Sequence, residues 1–298
     1  MSMESKDIRC GFVVDQKRQQ LWKVELELFE DFKRICKKYD LSYFLIGGAA
    51  IGAVRHKGFI PWDDDLDIGM PRSDFDKLIK VRDEFNENSF LEYGLNDSCT
   101  EFYHFCRIRD KNSTGYIREQ YKKPGIHGVF IEIYPFDDVP ESRKIRKLQW
   151  SLSRLFIQIL YHRVYKENIG NKTKLIDSLL SFISTPNIYR LWYKICTAFN
   201  NKKFKMVDTV SIPNYSPSEV DFFFAEDIAD TVEVPFESTT ARVPIGNDRC
   251  LRKTYGDYMQ LPPENQRGTH HNAAVFYDPT KKYDTYSMAF LENYFDMK

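Results

Sequence analysis

Residues 47–70 read GGAAIGAVRHKGFIPWDDDLDIGM, and four of their side chains, Asp63, Asp64, Asp65 and Asp67, are aspartates within five consecutive positions. Carboxylates this close repel one another, and a chain that clusters them usually neutralises them with a cation. The spacing singles out two of the four. Leu66 and Ile68 flank Asp67, and alternate residues of a strand share a face. Asp65 and Asp67 therefore point one way while Leu66 and Ile68 enter the core, and Asp63 and Asp64 fall to supporting roles. Two carboxylates side by side at a strand end suit Mg²⁺, with Mn²⁺ as the alternative. Such a hard cation takes oxygen ligands and often holds a substrate phosphate as well.

A third acid is expected from residues 128–134, Gly-Val-Phe-Ile-Glu-Ile-Tyr, the strongest β run of the chain. Glu132 lies on the face opposite Ile131 and Ile133 and could converge with Asp65 and Asp67 on one cation or two; Asp137 and Asp138 are the alternatives. Metal and acids together would lower the pKa of an attacking hydroxyl and hold a leaving phosphate, which is most of what phosphoryl transfer requires. Gly47 and Gly48 sit between a short buried strand, 42–46, and a small-residue helix beginning at Ala49. Strand, paired glycine and helix start form a phosphate-binding arrangement, because the glycines let a ligand reach the backbone N–H groups.

Further groups are candidates for binding substrate. Arg55, His56 and Lys57 follow the glycine helix and either meet nucleotide phosphates or form a solvated helix end. Arg107 and Arg109 share a strand face and either hold a diphosphate or pair with the acids. Trp62 either stacks on a base or packs beneath the metal strand. His270 and His271 follow a Pro-Pro turn and either touch substrate or make structural hydrogen bonds; no ligand set with zinc spacing accompanies them.

The elements that must position these groups are legible from periodicity. Leu21, Val24, Leu28, Phe29, Phe32 and Ile35 predict a helix over 15–39. A strand over 65–70 is followed by a helix with Ser73 as N-cap. Residues 102–109 predict a strand with 113–117 as its partner. Residues 143–166 form a helix both basic and apolar, followed by helices over 174–184 and 187–200. Short strands are expected at 222–224 and 231–243, a helix over 245–259, and a packing helix within 285–296.

Three blocks also carry a resemblance. Residues 47–68 closely resemble the signature of the LicD-type phosphocholine transferases, relatives of the fukutin-type transferases. Further matches are His127–Pro140, HGVFIEIYPFDDVP, and Tyr255–Pro263, YGDYMQLPP, with Arg267 and His270-His271. The resemblance implies an α+β chain: a nucleotidyltransferase (polymerase β-like) mixed-sheet core over 15–140, a mainly helical acceptor-site region over 141–244, and a C-terminal segment, 245–298, packing back on the core. It implies transfer of a phospho-substituent such as phosphocholine from a CDP-linked donor to a hydroxyl of a cell-surface glycan or its lipid-linked precursor, releasing CMP. By carry-over, Asp65 and Asp67 bind Mg²⁺, Glu132 completes the site where the family often has Asp, and Gly47-Gly48 hold donor phosphate. Two rivals are nucleotidyl transfer from a nucleoside triphosphate onto a small acceptor, and a glycan-binding protein with a decayed site, against which the intact acids argue.

Composition bounds these readings. At 298 residues, 42% hydrophobic and 29% charged, the chain can bury a sizeable core. A formal net charge of +0 argues against a nucleic-acid partner. The six cysteines form no C-x-x-C pair and read as reduced residues of a cytoplasmic protein. No apolar run is long enough to span a bilayer. The 143–166 helix is expected either to touch the cytoplasmic membrane face or to be a buried core helix with a charged edge.

Overall fold

The computed structural model describes residues 7–118, 120–202, 204–212, 223–268 and 275–297. A hairpin of β1 (Asp7–Arg9) and β2 (Phe12–Val14) leads into the long helix α1 (Gln16–Tyr39). Asp15 caps α1 by accepting from the N–H of Arg18 at 2.8 Å, and Asp40, at φ +50°, ends it in the left-handed conformation. The apolar stripe of α1 buries Leu28, Phe29, Phe32 and Ile35 against the sheet. Each such side chain contributes roughly 1.5–3 kcal/mol relative to exposure.

β3 (Phe44–Leu45) follows, then α2 (Gly47–Ile51), which runs without a break into a π-helical turn over Gly52–His56. The helix thus starts at Gly47 rather than after the glycines. β4 (Asp67–Pro71) pairs antiparallel with β3. It passes at once into α3 (Arg72–Lys80), so Ser73 lies inside the helix, and the N-cap position falls on Pro71, which makes no side-chain cap bond.

β5 (Ser89–Leu95) pairs antiparallel with β6 (Phe102–Asp110). β7 (Thr114–Ile117) does not join β6, contrary to the expectation from sequence; its partner comes from the far end of the chain. The reason is that β6 already has two neighbours, β5 and β8 (Phe130–Val139). β8 is the centre of the sheet. It lies parallel to β4, pairs through its first half with β6, and pairs through its second half with a later strand. Ile131 and Ile133 are fully buried on one face, leaving Glu132, Tyr134 and Phe136 to the other.

Three helices follow: α4 (Arg143–Tyr165), α5 (Asn171–Leu179) and α6 (Thr185–Cys196). α4 and α6 share an apolar core of Ile157, Ile159, Leu160, Ile188 and Trp192, into which Phe102 of β6 also packs. α4 therefore packs one face into this core, with Trp192 donating its Nε1–H to Ser153 of α4 at 3.1 Å, while Ile145 and Leu148 near its start are exposed. β9 (Met206–Asp208) extends the sheet beside β8, and β10 (Phe223–Phe224) beside β9. After a short α7 (Ala225–Ile228), β11 (Thr231–Phe236) and β12 (Thr239–Pro244) form a hairpin within the stretch expected to hold short strands. α8 (Asn247–Tyr255) follows; β13 (Val275–Asp278) pairs with β7, and α9 (Met288–Asp296) closes the chain. No helix among the described residues is long and apolar enough to cross a membrane.

Candidate active site

The parallel register of β4 and β8 places Asp67 directly beside Glu132, and the antiparallel register of β8 and β6 places Glu132 beside Arg107. One row across three strands therefore carries acid, acid and base. Behind it Leu66, Ile68, Ile131 and Ile133 are fully buried. In front lies a cavity of about 840 Å³ whose lining includes Gly47, Gly48, Asp63, Asp65 and Asp67. Phe44, Tyr134, Phe136, Tyr255 and Tyr258 contribute aromatic walls. β4 begins at Asp67 and not at Asp65, so Asp65 lies in the segment just before the strand; both still reach one concave surface, and Asp63 reaches it too.

The acidic loop is tied down through its backbone. The carbonyl of Asp63 accepts from Arg18 Nη1 at 2.6 Å and from Trp22 Nε1 at 3.0 Å, both on α1. The carbonyl of Asp67 likewise accepts from the N–H of Ile46 at 3.1 Å, but its side-chain Oδ1 is enclosed and has no hydrogen-bond partner among the described residues. Burial, then the charges of Asp65, Glu132 and Asp63, hold its carboxyl well above the usual range. A buried carboxylate oxygen with no donor, beside a second carboxylate, is a position a divalent cation would satisfy. The donor set fits Mg²⁺, which uses one or two carboxylates and completes its shell with phosphate and water.

Glu132 stands in register but is already engaged. Its Oε1 accepts from Arg107 Nε at 2.7 Å, and its Oε2 accepts from the hydroxyl of Tyr134. Among the described residues no three His, Cys, Asp or Glu side chains converge closely enough to hold a metal. The closed three-acid cage expected from Asp65, Asp67 and Glu132 is not formed, because Arg107 and Tyr134 turn the longer Glu side chain to themselves. Asp137 is not an alternative ligand: it is 0% exposed, bidentate with Arg72 at 2.8 and 2.7 Å, and bonded to Asn200. Asp138 accepts instead from the N–H of Asn201 at 3.0 Å.

The glycines border the acids closely. Gly47 has φ +58°, and a β-carbon there would stand 3.4 Å from Asp67 Oδ2 and 3.7 Å from the Tyr255 hydroxyl. At Gly48 a β-carbon would stand 2.4 Å from Asp63 Oδ2. Gly47→Ala combines a left-handed backbone with a methyl placed in contact with the Asp67 carboxylate. It is expected to cost about 1 kcal/mol of stability and to lower turnover roughly tenfold; thermal melts and initial rates measured on the same samples check both.

Other sequence candidates have structural partners. Arg55 lines the cavity but donates to the carbonyls of Tyr258 and Gln260, clasping the C-terminal segment. His56 is neutral at physiological pH: burial, then the charges of Arg55 and Arg9, lower its pKa to about 4. Lys57 is exposed, and its carbonyl accepts from the N–H of Glu237. Arg109 is buried against Glu92 and Gly128 and does not reach the cavity, so of the two roles read from sequence it takes the pairing one. Trp62 is buried edge-on to Phe12, with Arg267 over its ring at 5.4 Å, while still contributing to the cavity wall. His270 and His271 lie outside the described residues.

One acid at this site escaped sequence reasoning. Glu25 of α1 is 0% exposed, and neither of its carboxyl oxygens has a hydrogen-bond partner among the described residues. Burial, then the charges of Asp65, Asp64 and Asp63, hold its carboxyl well above the usual range. The signal was present: Glu25 falls at helical spacing between Leu21 and Leu28 on the buried stripe of α1.

Residues 40–157, which include both aspartates and all of β8, match the family described as LicD/FKTN/FKRP, nucleotidyltransferase domain. The chain carries a LicD-family domain. Beyond it, the sequence is similar to the lipopolysaccharide cholinephosphotransferase LicD of Haemophilus influenzae, 28% identical over 259 residues, which are 86% of this chain and 95% of that protein. It is also similar to an uncharacterised protein of Rickettsia typhi, 26% identical over 182 residues, 55% of this chain and 56% of that one. The LicD domain ends inside α4, whereas the similarity to the Haemophilus protein covers most of the chain.

Proposed function

We propose that the chain is a phosphotransferase that moves phosphocholine from a CDP-linked donor to a hydroxyl of lipopolysaccharide, or of a related cell-surface glycan or lipid-linked precursor, and releases CMP. One observation carries this reading: the Gly-Gly start of α2 and two aspartates, Asp67 at the start of β4 with a buried oxygen lacking a partner and Asp65 just before it, share the wall of one cavity. The similarity to a lipopolysaccharide cholinephosphotransferase along 95% of that protein supports the substrate class. The domain description supports a nucleotidyltransferase-like core, which fits the mixed sheet.

On this reading Asp65 and Asp67 hold Mg²⁺ or Mn²⁺. When bound, the cation neutralises donor phosphate and lowers the pKa of the acceptor hydroxyl. Gly47 and Gly48 leave room for phosphate against the backbone. Glu132, one strand away at roughly 4.8 Å, acts on the centre through its charge, with Arg107 and Tyr134 fixing its direction. The acceptor oxygen bonds to the choline-bearing phosphorus while the bond from that phosphorus to the bridging oxygen breaks; the bridging oxygen leaves on the phosphate of CMP, and the hydroxyl proton is released to water. Acceptors of this kind are built on lipid, so the enzyme works as a peripheral protein at the inner face of the cytoplasmic membrane.

Incubation with CDP-choline, Mg²⁺ and lipopolysaccharide tests this. CMP and a choline-bearing product are expected, both abolished by a chelator. Pyrophosphate from CTP with no CMP from CDP-choline would replace the reading by nucleotidyl transfer.

A further inference from the structure

We propose that α5 and the turn after it form a docking surface for an anionic lipid bilayer. The inference rests on the surface of the helical region and does not depend on the reaction proposed above. α5 buries none of its residues fully. Ile176, Leu180 and Ile183 face inward against the core shared by α4 and α6. Outward, Leu175, Leu179 and Phe182 are 64%, 67% and 82% exposed. These three follow one another at i, i+4 and i+7, which is a single stripe along the helix and the turn beyond it. An exposed helix face ordinarily carries polar residues, and a contiguous apolar stripe marks an interaction surface.

Charge decides what the surface meets. Residues 166–202 carry six Lys or Arg side chains against two acids, Glu167 and Asp177, in a chain whose net charge is +0. Both acids are paired with cations from outside that count: Glu167 with Lys123 at 2.7 Å and Asp177 with Arg163 at 2.6 Å. The segment has no further acid to offset its positive surplus, and Lys172 and Lys174 lie within α5 itself. A shallow groove of about 490 Å³ adjoins the stripe; its lining includes Lys166, Lys174, Ser178 and Ser181, together with Asp177, whose charge Arg163 offsets. Cations and hydroxyls in that combination suit a lipid phosphate headgroup, while the apolar stripe suits the acyl boundary beneath it. A second copy of this chain is disfavoured as the occupant, because two such surfaces would bring like charges together.

The test is co-sedimentation of the full chain with vesicles of phosphatidylcholine, with and without phosphatidylglycerol. Binding to the anionic vesicles alone, weakened by salt, is expected. Leu179→Glu combined with Phe182→Ser should lower the bound fraction about tenfold or more while leaving the melting temperature unchanged, since both side chains are exposed. Lys172→Glu with Lys174→Glu should remove the preference for anionic lipid. CMP release from a water-soluble donor should be the same in all variants, so failure of the catalytic reading would show in the wild type and not in the vesicle assay. No binding of the wild type, unchanged binding of the Leu179/Phe182 variant, or a dimer in solution dispersed by that variant would each overturn the proposal.

Discussion

Asp67→Asn is expected to lower turnover by about a thousandfold or more while leaving the fold at least as stable as the wild type. The two effects have one cause. Asp67 sits without a hydrogen-bond donor to Oδ1, beside Asp65 and Glu132, and its charged form is disfavoured by burial and by those neighbours. The amide has nearly the same shape and carries no charge, so the repulsion disappears and the melting temperature stays level or rises. The charge that would hold a cation disappears with it. Wild-type protein should also melt at a higher temperature when Mg²⁺ and donor are both added, since a ligand bound to the folded state alone stabilises it. Asp67→Asn should show no such rise. CMP release and thermal melts with and without Mg²⁺ check each part.

The largest effect on stability is expected at Arg72 and Asp137. Their guanidinium and carboxylate form two parallel hydrogen bonds of 2.8 and 2.7 Å in a buried setting, and Asn200 adds a third to the same carboxylate at 2.8 Å. Arg72 begins α3 directly after β4, and Asp137 lies on β8, so the pair locks the two central strands one turn of chain beyond the site. Removing Arg72 leaves the buried Asp137 carboxylate with the Asn200 amide but without its countercharge, and removing Asp137 leaves Arg72 with Asp76 at 3.9 Å. Arg72→Met and Asp137→Leu should each cost about 3–5 kcal/mol, seen as a shift in the denaturant midpoint, and the double substitution should recover much of the loss. Specific activity per folded molecule should change little, because neither residue lines the cavity. A single variant as stable as the wild type would remove this pair from the account of how β4 and β8 are held.

Where periodicity was strong, the sequence was a reliable guide. α1, the alternation through Asp67, and the isolated Glu132 between two isoleucines all took the faces their spacing required, because one buried face of a strand leaves no second register. Long-range pairing was less legible. Residues 113–117 join β13 rather than β6, and nothing local to them encodes a partner more than a hundred positions away. The role of Asp137 was hidden for the same reason: its binding partner, Arg72, lies 65 positions away in the chain. Glu25 was legible in principle, as a charge on an apolar stripe, but only the fold shows that the stripe faces the acidic loop. Glu132 is the subtler lesson. Its face was readable, but its engagement by Arg107 and Tyr134 depends on side-chain length and on a third strand.

The central claim is that Asp65 and Asp67 hold a divalent cation together with donor phosphate. Crystals grown with Mn²⁺ and CDP-choline, measured for anomalous scattering, test it most directly. The account predicts one strong Mn²⁺ peak within coordination distance of Asp65 and Asp67, with the diphosphate of the donor against Gly47 and Gly48. Donor bound in the cavity with no metal at the aspartates, or metal bound only elsewhere on the chain, would contradict it.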